Sequence, residues 1–302
     1  MAGAIISALL LWGIYVQVQQ QLHNIDKGVW LQTGPTYFLW LCVLLLPVNL
    51  ALEGLKWHIL SDSAQPISYR GAFASCLAGI AFSVITPNRI GEYPGRILYL
   101  KRKNTFRLIS VSILGMIAQL FTFFIFGLIG LIYYNIAYPG PIERLVLLAC
   151  LLATTIIGIV YWRFEKWLPL LKKYKWARRY NIYAQLLNRF SGKELFNIIF
   201  ISLARFAVFT AQYLFILRWM NVEMPLAGGF CLAGLFFWVM AVIPSIALTE
   251  LGVRGQVSLF LFHHFSSNTV GILAATTGLW MLNLIIPAIV GSLLLLRTRL
   301  LH

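Results

Sequence analysis

Charged side chains are scarce in this sequence. Only 11% of its 302 residues are Asp, Glu, Lys or Arg, whereas 60% are hydrophobic, and a soluble domain carries about 25% charged residues. The mean hydropathy is correspondingly high, at +0.81. This composition excludes a soluble globular protein and a disordered chain, and it predicts an all-α polytopic membrane protein. At about 20 residues per span, the length allows at most about eight or nine crossings.

Cysteine and aspartate are too few, or too scattered, for several familiar chemistries. The four cysteines lie in separate apolar runs and form no Cys-x-x-Cys spacing, so zinc and redox roles are not expected. The two aspartates, Asp26 and Asp62, are far apart, which disfavours a membrane transferase with paired aspartates for Mg²⁺. P-loop, His-Glu-x-x-His and Gly-x-Ser-x-Gly motifs are absent from the sequence. We therefore expect no catalytic residue, no metal and no cofactor, and we do not expect an enzyme.

Long apolar runs recur along the chain, most of them at a length that suits membrane spans. Two runs are less regular: 71–86 is short and ends before Pro87, and 227–246 contains Pro244. Segments interrupted in this way are typical of broken or re-entrant helices. The first run is expected to be a membrane helix rather than a cleaved signal peptide, because residues 1–22 contain no charged residue. The runs are Ala2–Val18, Thr36–Leu52, Gly71–Thr86, Phe106–Tyr134, Leu145–Trp162, Leu195–Met220, Ala227–Ile246 and Asn268–Leu296.

Basic residues outnumber acidic ones by 24 to 9, and their positions predict the orientation of the chain. Segment 89–107 holds six of them and segment 163–193 holds nine. Two long apolar runs separate these segments, which places both on the same side, and enrichment in Lys and Arg assigns that side to the cytoplasm. Lys56 and Arg70 are assigned to another loop on this side. This orientation predicts that both termini are cytoplasmic. The expected location is the plasma (inner) membrane, and nucleic-acid binding is not expected.

Two short motifs divide the chain into similar halves. Glu92 is followed four residues later by Arg96, and Glu250 by Arg254, in each case after a proline, and the two pairs are 158 residues apart. The same shift brings the long apolar runs of the first half onto those of the second. The sequence therefore predicts a single transmembrane domain built from two inverted repeats, a common transporter architecture. The predicted parts are repeat one at about 36–134, repeat two at about 195–296, and a basic cytoplasmic connector at 163–193.

The two Glu/Arg pairs are the first candidates for function. Residues four apart share a helical face, so each pair can form a salt bridge, and ionisable residues within a membrane are costly. A half-helix beginning after the proline would also present free N–H groups and partial positive charge, and Arg binds phosphate oxygens bidentately. Arg96 and Arg254 are predicted to hold an anionic headgroup, and Glu92 and Glu250 to hold the arginines in position or exchange protons. Arg89 is also predicted to belong to the substrate-binding site. The alternative is that the pairs only clamp the hairpins.

Arg205 lies ten residues into the run Leu195–Met220, near mid-membrane. An arginine at that depth requires an ion-pair partner, a polar cavity or water. We predict that it binds the phosphate of a lipid headgroup; the alternative is a structural ion pair with Glu250 or Glu92. Two glutamines are predicted to line the same cavity, although Gln119 has helix-to-helix hydrogen bonding as its alternative. They are Gln212, on the same helical face as Arg205, and Gln119, midway along the run from residue 106.

These motifs resemble those of a known family. The stretch VITPNRIGEYPGRILYLKR resembles a signature of the lysylphosphatidylglycerol synthase transmembrane-region family of flippase-like membrane proteins, and NLALEGLKWHIL resembles the segment that precedes it. IPSIALTELGVRGQV resembles a later signature, although Gly255 stands where the family usually has an acid directly after the second Arg. The resemblance covers about residues 36–296. It implies two inverted repeats with re-entrant helices and movement of lipids between leaflets.

We therefore expect a lipid flippase or transporter that works by alternating access. Its cargo would be an anionic lipid with a phosphate headgroup, either a phospholipid or a polyprenyl-linked lipid. The alternatives are a transporter of a small soluble anion and an accessory membrane scaffold for a lipid-modifying enzyme. A cavity that opens between helices into the bilayer would favour the lipid. Membrane lipids are the expected partners. Two further partners are possible, a second copy of the chain in a homo-oligomer and a lipid-modifying protein.

Overall fold

The computed structural model describes residues 33–84, 86, 90–100, 104–163, 190–243 and 247–297, together with Trp12 and Tyr15. Every regular element in these ranges is a helix, which confirms the all-α prediction. The helices are α1 (Tyr37–Asp62), α2 (Tyr69–Ser83), α3 (Glu92–Tyr99), α4 (Thr105–Ala137), α5 (Pro141–Trp162), α6 (Gly192–Trp219), α7 (Leu226–Val242), α8 (Ala247–Phe262), α9 (Thr269–Trp280) and α10 (Ile286–Arg297), with a π-helix at Met281–Ile285 between α9 and α10.

Five segments of the described ranges are long and apolar enough to cross a membrane: α1, α4, α5, α6 and the combined segment Thr269–Leu295. The outward side of α5 carries large exposed apolar residues such as Leu148 and Leu152. A face of this kind is stable against lipid acyl chains and unstable against water. The protein is therefore a polytopic membrane protein.

Polar caps fix where several helices begin. The hydroxyl of Ser68 accepts a hydrogen bond from the backbone N–H of Gly71 at the start of α2, and the side chain of Asn268 does the same for Gly271 in α9. Ser191 and Glu194 form a reciprocal capping box at the start of α6. These contacts satisfy backbone donors that have no partner within the helix. They set the ends of the helices that carry the polar side chains described below.

The helices follow the order long, short, short, long twice: α1 to α4, and then α6 to the last span. The two leading helices, α1 and α6, pack against each other, α2 packs against α10, and α7 packs against α4. Leu77 of α2 lies against Gly291 of α10, and Leu235 of α7 lies against Gly130 of α4. Leu77 and Leu235 are separated by the same 158-residue interval as the Glu/Arg pairs. The inversion of the two halves relative to the membrane stays a prediction.

Glycines allow α2 and α3 to pack closely as a hairpin. A Cβ on Gly79 would collide with the carbonyl of Glu92 and with the side chain of Arg96, and a Cβ on Gly95 would collide with the Cα of Gly79. The two helices therefore meet backbone to backbone. This contact places α3 so that Arg96, which is 4% exposed, reaches Glu53 of α1.

The structure corrects one assignment and leaves others outside its description. The assignment of Lys56 to a cytoplasmic loop is wrong, because α1 continues to Asp62 and Lys56 is buried within it at 3% exposure. Most of the predicted connector 163–193 and of the first apolar run lies outside the described residues. The cytoplasmic placement of the termini stays a prediction.

Candidate functional site

Glu53, on α1, is the centre of a buried ion cluster. Its side chain is 4% exposed and contacts three cations. Oε1 lies 2.6 Å from Nη2 of Arg96, and Oε2 lies 2.9 Å from Nζ of Lys56 and 2.9 Å from Nη1 of Arg205. A buried carboxylate is stable only when such partners offset its desolvation. One acid therefore holds basic side chains from three helices.

The charged members of the cluster come from three helices. Lys56 follows Glu53 by three residues, so both side chains project from one face of α1. Arg96 comes from the second arm of the α2–α3 hairpin and Arg205 from the middle of α6. Glu92 lies one turn before Arg96 on α3 and also binds its Nη2. The cluster thus joins α1, α3 and α6 through charge.

Aromatic rings surround the two guanidinium groups. The guanidinium carbon of Arg96 lies 5.4 Å from the ring centroid of Trp57 and 5.9 Å from that of Tyr93. That of Arg205 lies 5.1 Å from the ring of Phe209. Such contacts stabilise a cation away from water. The indole N–H of Trp57 donates in turn to the hydroxyl of Ser75 at 2.8 Å, which fixes the ring beneath Arg96.

Amide side chains complete the cluster. The Oε1 atom of Gln119, on α4, accepts hydrogen bonds from Lys56 at 3.0 Å and from Arg205 at 3.3 Å. The Nε atom of Arg205 donates to Oδ1 of Asn49 at 3.0 Å, and Nδ2 of Asn49 donates to Oδ1 of Asn283 at 2.7 Å. A fourth helix and the π-helix are thereby connected to the charges.

A polar cavity of about 190 Å³ opens within this cluster. Glu53, Lys56, Arg96, Arg205 and Gln119 all line it. Two buried donors in its wall, Nε of Arg96 and Nε2 of Gln119, have no hydrogen-bond partner among the described residues. Because a buried donor without a partner is costly, these two N–H groups suit the oxygens of an incoming anion.

A larger apolar groove of about 460 Å³ lies between α3 and α4, beside the polar cavity. Tyr93, Ser112 and Met116 line both spaces. The outer wall of the groove includes Ile90, 63% exposed, and Ile113, 45% exposed. The polar cavity therefore has an apolar neighbour that reaches the outer surface of the helix bundle.

The structure brings together four of the residues predicted from sequence. Arg205, Arg96, Glu92 and Gln119 line one cavity, and the ion-pair partner of Arg205 is Glu53 rather than either predicted acid. Other predicted residues lie elsewhere or outside the description. Gln212 is buried between α6 and α1, where its Nε2 donates to the carbonyl of Cys42 at 3.0 Å, and Arg254 is half-buried on α8 and is not among the described residues that line the cavity. The side chain of Glu250 and all of Arg89 lie outside the described part of the chain.

The site residues predicted from sequence do not include Glu53, Lys56 or Asn49. Glu53 follows the apolar run Thr36–Leu52 directly, so Glu53 and Lys56 have the pattern of charges that mark the end of a span. Their signal is the three-residue spacing of opposite charges on a helix that continues for nine residues beyond Glu53. Among the described residues, no group of three or more His, Cys, Asp or Glu side chains could hold a metal ion.

The family model described as "Lysylphosphatidylglycerol synthase TM region" matches residues 1–291, nearly the whole chain. The chain belongs to this family. It is accordingly a multi-pass membrane protein involved in lipid handling. No curated protein matches the chain. Within this member of the lysylphosphatidylglycerol synthase transmembrane-region family, the Glu53 cluster is a buried group of charges that lines a cavity.

Proposed function

We propose that the protein moves an anionic lipid with a phosphate headgroup between the two leaflets by alternating access, without chemical change to the lipid. The single observation that carries the proposal is the junction between the cation-lined cavity and the apolar groove. A membrane lipid needs both environments at once, one for its headgroup and one for its acyl chains.

The polar cavity supplies the headgroup site. Lys56, Arg96 and Arg205 provide three formal positive charges, and Glu53 and Glu92 provide two negative ones, so the cavity carries a net charge of about +1. An anionic phosphate would offset this charge and accept from the donors of Arg96 and Gln119 that lack partners. In surroundings of low dielectric constant these charge-assisted contacts are stronger than in water.

The groove favours a lipid over a soluble anion. A soluble anion would need a site enclosed by polar groups, whereas the groove beside this cavity is lined by Ile, Pro, Met and Tyr side chains and reaches the lipid-facing surface. A headgroup in the cavity could keep its acyl chains in the groove and the bilayer. The polar part of the lipid would then cross the membrane within the protein. Both termini of the polypeptide would be cytoplasmic, as the charge distribution predicts.

The proposal is tested by lipid movement in reconstituted vesicles. The protein is placed in phosphatidylcholine vesicles with a trace of fluorescent phosphatidylglycerol, and the probe in the outer leaflet is bleached chemically. We expect Arg96→Ala and Arg205→Ala each to slow exposure of inner-leaflet probe by roughly tenfold to a hundredfold, because each loses a charge-assisted contact worth about 1.5–3 kcal/mol.

The matched control is Arg144→Ala. Arg144 is an exposed arginine in the first turn of α5, outside both cavities, and its removal should leave the rate unchanged. A wild-type protein that takes up glycerol phosphate or inorganic phosphate from solution, and moves no labelled lipid, would replace the proposal with soluble-anion transport. If neither is moved, the scaffold interpretation is favoured.

A further inference from the structure

A chain of hydrogen bonds connects the cavity to the last span. Nε of Arg205 donates to Oδ1 of Asn49 at 3.0 Å, and Nδ2 of Asn49 donates to Oδ1 of Asn283 at 2.7 Å. Nδ2 of Asn283 then donates to the carbonyl of Leu279 at 3.3 Å. Asn49 is 2% exposed, so water does not compete for these contacts at its position.

The direction of this chain is fixed by its two ends. A guanidinium can only donate, so the atom of Asn49 that faces Arg205 is its oxygen. A backbone carbonyl can only accept, so the atom of Asn283 that faces Leu279 is its nitrogen. The contact between the two asparagines must then run from Nδ2 of Asn49 to Oδ1 of Asn283. One orientation of each amide satisfies all three contacts, and any other orientation breaks at least one.

Asn283 lies at the middle of the π-helix Met281–Ile285, the irregular part of the last span. At its end the N–H of Ile286 bonds to the carbonyl of Met281, five residues back. Pro287 follows at the second residue of α10, and a proline inside a continuous helical span removes one backbone hydrogen bond. Single turns of π-helix inside longer helices occur frequently at functional sites.

In a π-helical turn the backbone N–H bonds to the carbonyl five residues back rather than four, so its side chains point in directions that differ from those of an α-helix. If the segment returned to α-helical hydrogen bonding, a shift by one residue would rotate the side chains on one side of it by about 100° relative to the other. Asn283 would then turn away from Asn49. Nε of Arg205 would then lose Asn49, the partner that Asn283 now orients, while its Nη1 contact with Glu53 could persist.

We propose that Asn49 and Asn283 are positioning residues that couple Arg205 to the π-helix, so that the state of the cavity and the shape of the last span change together. The part of this inference that concerns the headgroup rests on the proposed function. The last span also packs against α2 through Gly291 and Leu77, and α2 leads into the hairpin arm that carries Arg96. A change in the last span therefore reaches the cavity by two routes.

The chain of hydrogen bonds from Arg205 through Asn49 to Asn283, here called the relay, is tested first without any transport measurement. Amide hydrogen exchange of residues 279–287 is measured on the protein in lipid nanodiscs containing phosphatidylglycerol. Arg205→Lys keeps the positive charge but removes the Nε donor, and Arg205 is remote in sequence from the last span. We expect exchange in residues 279–287 to become about tenfold faster, because a buried network that braces the π-helix has been opened.

Asn135→Leu is the matched control. Nδ2 of Asn135 donates to the carbonyl four residues back, as that of Asn283 does, but on α4 and outside the cluster. Exchange in 279–287 should stay at the wild-type rate in this variant. Unchanged exchange in Arg205→Lys, or an equal rise in Asn135→Leu, would overturn the relay whether or not the protein moves lipid.

A second measurement covers the case in which Arg205→Lys does not fold. Asn283→Ser retains a hydroxyl that can bond to the carbonyl four residues back but is too short to reach Asn49. We expect it to slow the movement of fluorescent phosphatidylglycerol by about tenfold while keeping a wild-type yield of folded protein. A wild-type rate in Asn283→Ser would overturn the relay.

Double variants show whether Asn283 and Arg205 act through the same contacts or independently. Asn283→Ser together with Arg205→Lys should be little slower than the worse single variant, because both cut the same chain of contacts. Asn135→Leu with Arg205→Lys should multiply the separate effects. A multiplicative result for the first pair would refute coupling. If the wild-type protein moves no labelled lipid, the proposed function fails, and the exchange experiment alone decides the relay.

Discussion

At the scale of single residues, the site depends on an acid rather than on its bases. Lys56, Arg96 and Arg205 would repel one another in a buried space, and Glu53 is the group that all three contact. Glu92 is a weaker partner, because its side chain is 22% exposed and, in the described part of the chain, forms an ion pair with Arg96 alone. Glu53 is therefore expected to contribute more to the stability of the fold than Glu92, although both line the cavity.

Glu53→Gln should accordingly destabilise the protein more than Glu92→Gln. Removing one partner from a buried ion cluster costs about 3–5 kcal/mol, since it leaves charges without compensation. For the partly exposed Glu92 we expect a cost of about 1 kcal/mol or less. Thermal unfolding in detergent compares the two, and Glu223→Gln, on an exposed acid, is the control. Equal midpoints for the Glu53 and Glu92 variants would show that Glu53 does not organise the cluster.

Some residues of this site could be predicted from sequence and others could not. Arg205, Glu92 and Arg96 stand out because they interrupt apolar runs or recur after a proline, and both signals are local. Glu53, the second partner of Arg96, lies 43 residues away in the chain, and no local pattern specifies such a pairing. Glu53 was missed because a charge at the end of an apolar run is equally compatible with a loop and with a continuing helix.

At the scale of elements, the pairing of α3 with α4 forms the groove. Ile113 lines it and is 45% exposed, whereas Ile132, on the same helix, is also 45% exposed but lies outside it. The broken element from residue 71 onward was predicted from its proline and its charges. The groove could not be predicted, because it depends on how α3 and α4 pack against each other.

Ile113→Trp should block the groove and slow movement of fluorescent phosphatidylglycerol. Displacing only two methylene groups of an acyl chain from apolar surroundings costs about 1.6 kcal/mol, or roughly tenfold in rate. Ile132→Trp adds the same ring to the same helix and should move lipid at the wild-type rate. A wild-type rate in Ile113→Trp would mean that acyl chains do not use the groove.

At the scale of the whole molecule, two glycine contacts join the halves of the chain. A Cβ on Gly130 would collide with the carbonyl of Cys231, and a Cβ on Gly291 would collide with the carbonyl of Leu77. The obstacle in both places is backbone, which cannot move aside as a flexible side chain could. The order of helices was predictable from the apolar runs and the 158-residue interval, whereas these contacts between halves required the structure.

Gly130→Ala and Gly291→Ala should each lower stability by about 1–3 kcal/mol through overpacking. Gly252→Ala is the control, because no atom lies within 4 Å of the added methyl group and alanine favours a helix by about 0.5–1 kcal/mol. Thermal unfolding in detergent measures all three. If Gly130→Ala and Gly291→Ala were as stable as Gly252→Ala, the halves would not be joined at these points.

The charge of the Glu53 cluster has an electrical consequence. Three basic and two acidic side chains leave the empty cavity with a formal charge of about +1, and a singly charged headgroup would make the loaded cavity neutral. Moving one elementary charge through 100 mV costs or releases about 2.3 kcal/mol. Under the proposed function, a membrane voltage would therefore act on the return of the empty protein and leave the step that carries lipid almost unaffected.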